Sequence, residues 1–492
     1  MMESRRTDGG RAVVDVRNLI ADKWRDAESG RVQENRSPGD LADVVSRSPE
    51  SGDADVRAAI AAAAGALPAW RALGSVRRGE TVMRAARLVA ERRERFAEAI
   101  TREQGKLLRE ALGEVDRTVA LLEYTAAEGR RLGGATLPAD DPRTLALTRR
   151  VPIGVVGLVT PWNFPLAIPA WKIAPALVSG CTAVLKPSPL TPLTAALLVE
   201  CFEAAGAAGG VLNLVHGGRE VGEALVRDPA VAGISFTGSV EVGRAIHTAG
   251  APRFLRTQLE MGGKNAALVL ADADLDLAAD AIVAGAFGQA GQRCSATSRV
   301  VVDRAVREGL VRRLVERAAA LRVGNGLDAE ARLGPVVSAD RLLACLEGTR
   351  QALADGAEAV TGGERLTEGV PDGYYMAPTV LDGVRPESRI AQEEIFGPVL
   401  SVIECEGLDD GLRIVNSVRY GMAAAVFTSD TSLALEALDR IDAGMLHVNR
   451  PGVGAYPHMP HIGAKESQYG PAECSPQVWD FYTEWRTACI AY

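Results

Sequence analysis

The chain of 492 residues carries a formal net charge of −8, with 47% hydrophobic and 24% charged residues. That length exceeds what one core can use, so two or three domains are expected, and the acidic balance argues against a nucleic-acid or acidic-membrane partner. The polar, Arg-containing start lacks the apolar core of a signal peptide, Pro165, Pro169, Lys172 and Pro175 break the apolar stretch 164–185, and seven scattered cysteines read as reduced thiols, so a cytoplasmic protein with no membrane partner is expected.

Residues 1–15 predict a disordered leader. Three Ala-rich helical segments follow (Val56 to Ala69, Arg77 to Thr101, Lys106 to Glu128), with apolar residues at three- and four-residue spacing. Alternation over 132–150 predicts a strand or hairpin arm. From Ile153 short apolar strands (154–159, 182–185, 211–215, 233–236, 255–260) alternate with helices (170–179, 192–205, 219–227, 240–249). That alternation predicts a doubly wound parallel α/β sheet, with ligands beyond the carboxyl ends of its strands. A second α/β block spans 263 to about 447, with 357–380 expected as a surface hairpin or loop. The last segment, 448–492, is Pro- and Gly-rich and then aromatic (Trp479, Phe481, Tyr482, Trp485). Such a cluster needs a surface to bury against, and a second subunit would supply one.

Five strings place chemistry-bearing residues at strand ends or in loops. Gly288-Gln-Ala-Gly-Gln-Arg-Cys294 sets a cysteine among small residues beside a cation, which favours the nucleophilic thiolate. Thr160-Pro-Trp-Asn-Phe-Pro165 holds the Asn163 amide in a loop between two prolines, where it can donate to a developing oxyanion. Leu185-Lys-Pro-Ser188 ends a strand with a cation and a hydroxyl, suited to a nucleotide's ribose and phosphate. Phe236-Thr-Gly-Ser239 opens a helix whose first N–H groups can meet a pyrophosphate, although the spacing is not Gly-x-Gly-x-x-Gly. Gln258-Leu-Glu260 places a carboxylate at an apolar strand end, where burial would make it a base of raised pKa. Each string alone also reads as a core cysteine, a turn asparagine or a paired strand-end glutamate. The five histidines form no metal-ligand set with a cysteine pair, so no metal site is expected.

Taken together, and with Glu393-Glu-Ile-Phe-Gly-Pro398, these strings resemble the NAD(P)-dependent aldehyde dehydrogenase superfamily from about residue 17 onward. The resemblance implies two Rossmann-like domains and a small β oligomerisation arm. The dinucleotide domain would take 16–130 and 152–262, the catalytic domain 263–460, and the arm and tail 131–151 and 461–492. It implies Cys294 as nucleophile, Glu260 as general base, Asn163 as oxyanion donor and Lys172 as a helper. NAD or NADP would lie against Thr160, Pro161, Trp162, Lys186, Ser188, Pro189, Gly218, Phe236, Thr237, Gly238, Ser239, Val242, Met261, Gly262, Glu394 and Phe396. A homodimer or homotetramer is implied as well. Many NAD-preferring members carry a glutamate where this chain has Pro189, so the residues leave NAD and NADP both open.

Arg293 beside the nucleophile, Arg117 on a helix face with Leu121 and Tyr124, and Arg450 point to a small anionic aldehyde. Phe164 would border it. The texture of Glu34-Asn-Arg-Ser-Pro38, Cys294-Ser-Ala-Thr-Ser-Arg299 and His447-Val-Asn-Arg-Pro451 is similar to α-ketoglutarate semialdehyde dehydrogenases. Carboxylate semialdehydes therefore rank above phosphonate or phosphorylated aldehydes, with a non-catalytic scaffold or an acyl transfer to coenzyme A as rival readings. His461-Ile-Gly-Ala-Lys465 departs from the usual Phe-Gly-Gly-x-Lys near the substrate entrance.

Overall fold

A computed structural model describes residues 3–6, 12–454 and 456–492. Its first sheet has five parallel strands in the spatial order Arg256–Glu260, Val231–Thr237, Val155–Val159, Thr182–Lys186, Leu212–Leu214. The runs are short and nearly all apolar because both faces are covered by helices. Val155–Val159 is first in sequence but third in space, so the chain leaves it once to each side. That reversal opens a crevice at its carboxyl end. Antiparallel edges complete the sheet. Asn18–Ile20 and Lys23–Arg25 lie outside Leu212–Leu214, and Gln468–Tyr469 lies outside Arg256–Glu260.

The second sheet runs Glu358–Thr361, Thr379–Asp382, Val399–Cys405, Thr297–Asp303, Asn265–Val269, Ala423–Phe427, Met445–Val448, parallel except for its first strand. The connection from Glu260 to Asn265 is the short passage between the two sheets. A separate three-stranded sheet pairs Thr483–Ala491 with Thr144–Pro152 along nine residues, with Thr136–Leu137 outside.

Several expectations change. The predicted leader is not disordered throughout. Glu3–Arg6 and Ala12–Asp15 are strands, and the latter pairs with Asp40–Pro49. Its apolar residues explain this: Val13 and Val16 are buried, and the Arg102 guanidinium donates to the Ala12 carbonyl and to Asp43. Residues 1, 2 and 7–11 of that leader lie outside the described residues. The segment Arg77 to Thr101 is two helices, Gly74–Glu91 and Arg93–Gln104. Arg92 between them leaves helical backbone (φ −105°, ψ 23°), and the second helix turns to bury Phe96 and Ile100. The predicted surface hairpin at 357–380 is partly core: its ends are two strands of the second sheet, and Tyr375 and Met376 are buried. The terminal aromatic residues Trp479, Phe481 and Tyr482 bury in the chain's own first core, where Arg256 donates to the Phe481 and Thr483 carbonyls at 3.1 and 2.8 Å. Of the tail assigned to the arm, Thr483–Ala491 is in the arm sheet, whereas Gln468–Tyr469 belongs to the first sheet.

One buried ion pair fixes the loop at the crevice. Lys106 Nζ donates to Glu114 Oε2 at 2.6 Å and to the Asn163 carbonyl at 2.7 Å. Glu114 Oε1 accepts the Leu166 and Ala167 N–H groups, both at 3.0 Å, so a carboxylate from a different helix caps helix Ala167–Ser179. Burial pulls the Lys106 ammonium below its usual range while Glu114 opposes that shift. Glu114→Gln keeps an acceptor but strands the Lys106 charge. It is expected to destabilise the protein by about 3–5 kcal/mol, seen as a lower urea midpoint. Arg117→Ala, one turn on and exposed, should stay within about 0.5 kcal/mol of the parent.

Candidate functional site

Cys294 follows three consecutive residues of left-handed backbone, Gln289, Ala290 and Gly291 (φ 54°, 54° and 69°). Two of these are not glycine, and such strain persists only where the surroundings over-determine it. Glu110 Oε1 accepts the Gln289 N–H at 2.8 Å, and a side chain at Gly291 would run into the Gly397 carbonyl. From the other side the Asn265 amide donates to the carbonyls of Cys294 and Ala296, both at 2.8 Å, and its oxygen accepts the Ala423 N–H at 2.9 Å. The thiol is thereby held where the two sheets meet, half-buried.

Glu260 closes the strand Arg256–Glu260, fully buried, with neither carboxylate oxygen partnered. Burial, and then the nearby Glu473, push its pKa well above the carboxylate range, while Lys172 opposes them. Lys172, the expected helper, donates to Ser235 Oγ at 2.9 Å and to Glu473 Oε1, whose other oxygen is buried and unpartnered. Glu473 therefore belongs to this constellation, and sequence reading missed it because it sits in the irregular tail. Burial first, and then Glu260, raise the Cys294 thiol to about 12. Cys294 Sγ is 3.9 Å from His461 Nε2. Asn163 is buried in the loop pinned by Lys106, its side-chain oxygen unpartnered.

The crevice at the strand reversal is a cleft of about 750 Å³. Thr160, Pro161, Trp162, Lys186, Ser188, Pro189, Gly218, Phe236, Thr237, Gly238, Ser239 and Val242 line it, as expected for a dinucleotide. The hydroxyls of Thr160 and Thr237 are buried without partners, and a side chain at Gly218 would meet open space, so the cleft offers free donors and room for a backbone-hugging ligand. Burial lowers Lys186 to about 8 and, with Lys186 beside it, His216 to about 3. Of the remaining expected contacts, Phe396 stands edge-on to Trp162 with centroids 5.4 Å apart, and Glu394 accepts the Gly263 N–H at 3.0 Å. A side chain at Gly262 would collide with Glu394. Met261 does not line the cleft; it is buried against Gly243. Sequence reading missed Arg219, Glu223 and Arg227 on the cleft wall, whose i, i+4 ion pairs (2.6 and 2.8 Å) were visible in their spacing.

A second pocket is lined by Arg117, Thr118, Leu121, Ala167, Trp171, Tyr456, Pro457 and Cys474. It reaches the thiol through stacked contacts: Trp171 lies on His461 (centroids 5.2 Å apart), and His461 touches Cys294. Phe164 packs beside Leu121, Ile168 and Trp171, its ring also 4.4 Å from Lys106 Nζ. The three arginines separate here. Arg117 lines the pocket and makes no hydrogen bond or ion pair among the described residues. Arg293 lies 3.9 Å from Glu110, which partly neutralises it. Arg450 is exposed and donates to the Tyr456 hydroxyl at 2.8 Å, so it reaches the pocket only through that ring. Arg117 and Arg293 still lie within electrostatic reach of each other, and Arg450 alone stands apart from the set.

The sequence profile of the aldehyde dehydrogenase family matches residues 24–488. The chain is 41% identical over 475 residues to the alpha-ketoglutaric semialdehyde dehydrogenase of Bacillus subtilis, covering 96% of this chain and 97% of that one. It is also 41% identical over 451 residues to the 2,5-dioxopentanoate dehydrogenase of Saccharolobus solfataricus, covering 91% and 93%. The solved NAD-dependent aldehyde dehydrogenase from Sinorhizobium meliloti superposes with a TM-score of 0.94 at 36% identity, covering 97% and 95%. Profile, relatives and fold agree with a half-buried cysteine, a buried carboxylate and a buried amide beside a dinucleotide-sized cleft: the chain belongs to the aldehyde dehydrogenase family.

Proposed function

We propose that the protein oxidises a small carboxylate semialdehyde, of the α-ketoglutarate type, to the corresponding acid with NAD+ or NADP+. The observation that carries the substrate class is Arg117, an unpartnered guanidinium lining the pocket that reaches Cys294 through Trp171 and His461. The free guanidinium of Arg117 matches one carboxylate, while Glu110 offsets the charge of Arg293 and Tyr456 engages Arg450. The relatives named for α-ketoglutaric semialdehyde and 2,5-dioxopentanoate support the same class.

Cys294 adds to the aldehyde carbon, and the Asn163 amide and the Cys294 N–H hold the resulting oxyanion. Lys186, Ser188 and the loop Phe236–Ser239 would hold NAD+ or NADP+, which when bound would supply the hydride acceptor. Glu260 then takes a proton from water as it attacks the thioester. Glu260 in this position favours hydrolysis over transfer to coenzyme A. With Pro189 no carboxylate repels a 2′-phosphate, so either dinucleotide fits. The exposed edge strand Thr483–Ala491, carrying Trp485 and Ile490 at 54% and 50% exposure, suits a homodimer or homotetramer. Seven free thiols suit the cytoplasm.

Cys294→Ala should abolish oxidation, measured as NAD(P)H formation. Glu260→Gln should leave one rapid turnover of NAD(P)H followed by slow acid release, seen in stopped flow. A panel of anionic and neutral aldehydes with both dinucleotides tests the substrate class. Arg117→Ala should raise KM for the semialdehyde by about 10- to 100-fold, the value of a charged hydrogen bond, and leave neutral aldehydes unchanged. Preference of the parent enzyme for neutral aldehydes overturns the proposal. Glu260 is a base only when ionised, and its raised pKa means that thioester hydrolysis speeds up as pH rises through it. Glu473→Gln removes a like charge and leaves Lys172 facing Glu260, so the pH–rate curve for acid release should move to lower pH.

A further inference from the structure

His461 lies in the irregular tail, and the structure gives it a place that simple packing does not require. Its backbone is clamped by reciprocal hydrogen bonds with Glu473, 2.8 and 3.1 Å long. Its ring lies against Trp171 at a 36° tilt, 6% exposed. That double constraint aims Nε2 at Cys294 Sγ, 3.9 Å away, within reach of a sulfur hydrogen bond, and leaves Nδ1 buried and unpartnered. The remaining ionisable neighbours are Lys172 on helix Ala167–Ser179, Glu260 at its strand end, Glu394, and Glu473 and Cys474 in the tail. Glu260 is committed to the later water step, and Lys172 and Glu473 are paired with each other. His461 is the group left to meet the thiol hydrogen.

We propose that His461 is a catalytic residue: Nε2 accepts the Cys294 proton as the sulfur bonds to the aldehyde carbon, and returns it when the sulfur is expelled. This rests on Cys294 being the nucleophile of the proposed oxidation. In the first step the S–H bond breaks, the S–C bond forms, the carbonyl π pair moves to oxygen, and the proton goes to Nε2. After hydride loss to the dinucleotide and attack of water on the thioester, the C–S bond breaks, the sulfur keeps the pair, and the imidazolium protonates it. His461 therefore carries no net proton per turnover.

Burial, and then Lys172, lower the imidazole to about 4, so it is neutral in the neutral range and, at rest, a weaker base than free imidazole. The thiol beside it, raised to about 12, does not ionise unaided at neutral pH. A thiolate forming 3.9 Å away would raise the imidazole's affinity for the proton at that moment.

The test is the pH dependence of Cys294 alkylation by iodoacetamide in the full-length, cofactor-free protein, read by peptide mass mapping because Cys489 is also exposed. His461→Phe keeps an aromatic ring and removes the base. His461→Gln keeps a polar group near Nε2 without a base, and decides the matter if the phenylalanine variant does not fold. Both variants should label at least 10-fold more slowly than the parent near pH 7.5 and approach it as the thiol ionises by itself in strong alkali, with kcat/KM falling on the order of 100-fold. Labelling that follows the parent at every pH in a folded variant overturns the proposal. Cys294→Ala is run in parallel. If it still oxidises aldehyde, the nucleophile assignment fails on its own account. If it is inactive while His461→Phe labels normally, the role of His461 alone fails.

Discussion

The geometry of the site depends on the side chain of Asn265. It is the first residue of the second sheet, and its three hydrogen bonds reach the two loops that sheet must present. Two of them hold the carbonyls of Cys294 and Ala296, and the third holds the N–H that starts strand Ala423–Phe427. The strained turn before Cys294 has no helix or strand of its own to fix it. It is instead trapped between this amide and Glu110, which accepts the Gln289 N–H from the first domain's helices. A thiol held by the second sheet and by a helix of the first domain responds to their relative position, so the cleft and the thiol cannot be placed independently. Gly263 shows how tight the junction is: a side chain there would lie against the Cys294 carbonyl and the Asn265 amide.

Behind the thiol, charge is arranged to keep one carboxylate poised. Glu260 and Glu473 are both buried, and two buried anions this close repel each other. A single cation, Lys172, is bound to Glu473 and screens Glu260 only at a distance. The asymmetry sets the roles: Glu473 is the member paired with Lys172, and Glu260 is left without a hydrogen bond and with its proton affinity raised. The tail that supplies Glu473 also supplies His461 and Cys474, and the hydrogen bonds between His461 and Glu473 lock them in register.

Much of this was legible in the sequence where local pattern and chemistry coincide. The alternation of strands and helices after Ile153 carries its own period, and Thr160, Lys186 and Phe236 fall at strand ends because apolar runs stop there. Legibility failed where long-range packing overrides local signal. Nothing in Trp479, Phe481 and Tyr482 says whether they bury in their own chain or in a partner, since the composition is the same in both cases. Residues 12–15 look like a leader until Arg102 is seen to hold them. Glu473 and His461 lie in a segment of weak period, so their place in the site follows from contacts with Lys172 and Cys294 that sequence spacing does not encode.

Arg293 shows the same limit in electrostatic form. Adjacent in sequence to Cys294, it reads as the cation that would lower the thiol's pKa. In three dimensions its guanidinium lies 3.9 Å from Glu110, so its charge is shared between that carboxylate and the Cys294 sulfur. What surrounds the sulfur is burial and the carboxylates Glu260, Glu394 and Glu473, all acting to keep it protonated. A site built this way does not store a thiolate. It stores a thiol and must move the proton when the substrate arrives, which protects the nucleophile from adventitious electrophiles between turnovers. The same negative surroundings would repel a carboxylate-bearing substrate, and so the free guanidinium of Arg117 matters at the outer end of the pocket rather than beside the sulfur. In the proposed reaction Arg117 would meet the substrate's charge while the reacting carbon would meet Cys294, Asn163 and His461, and Leu121 and Trp171 line the same pocket as Arg117.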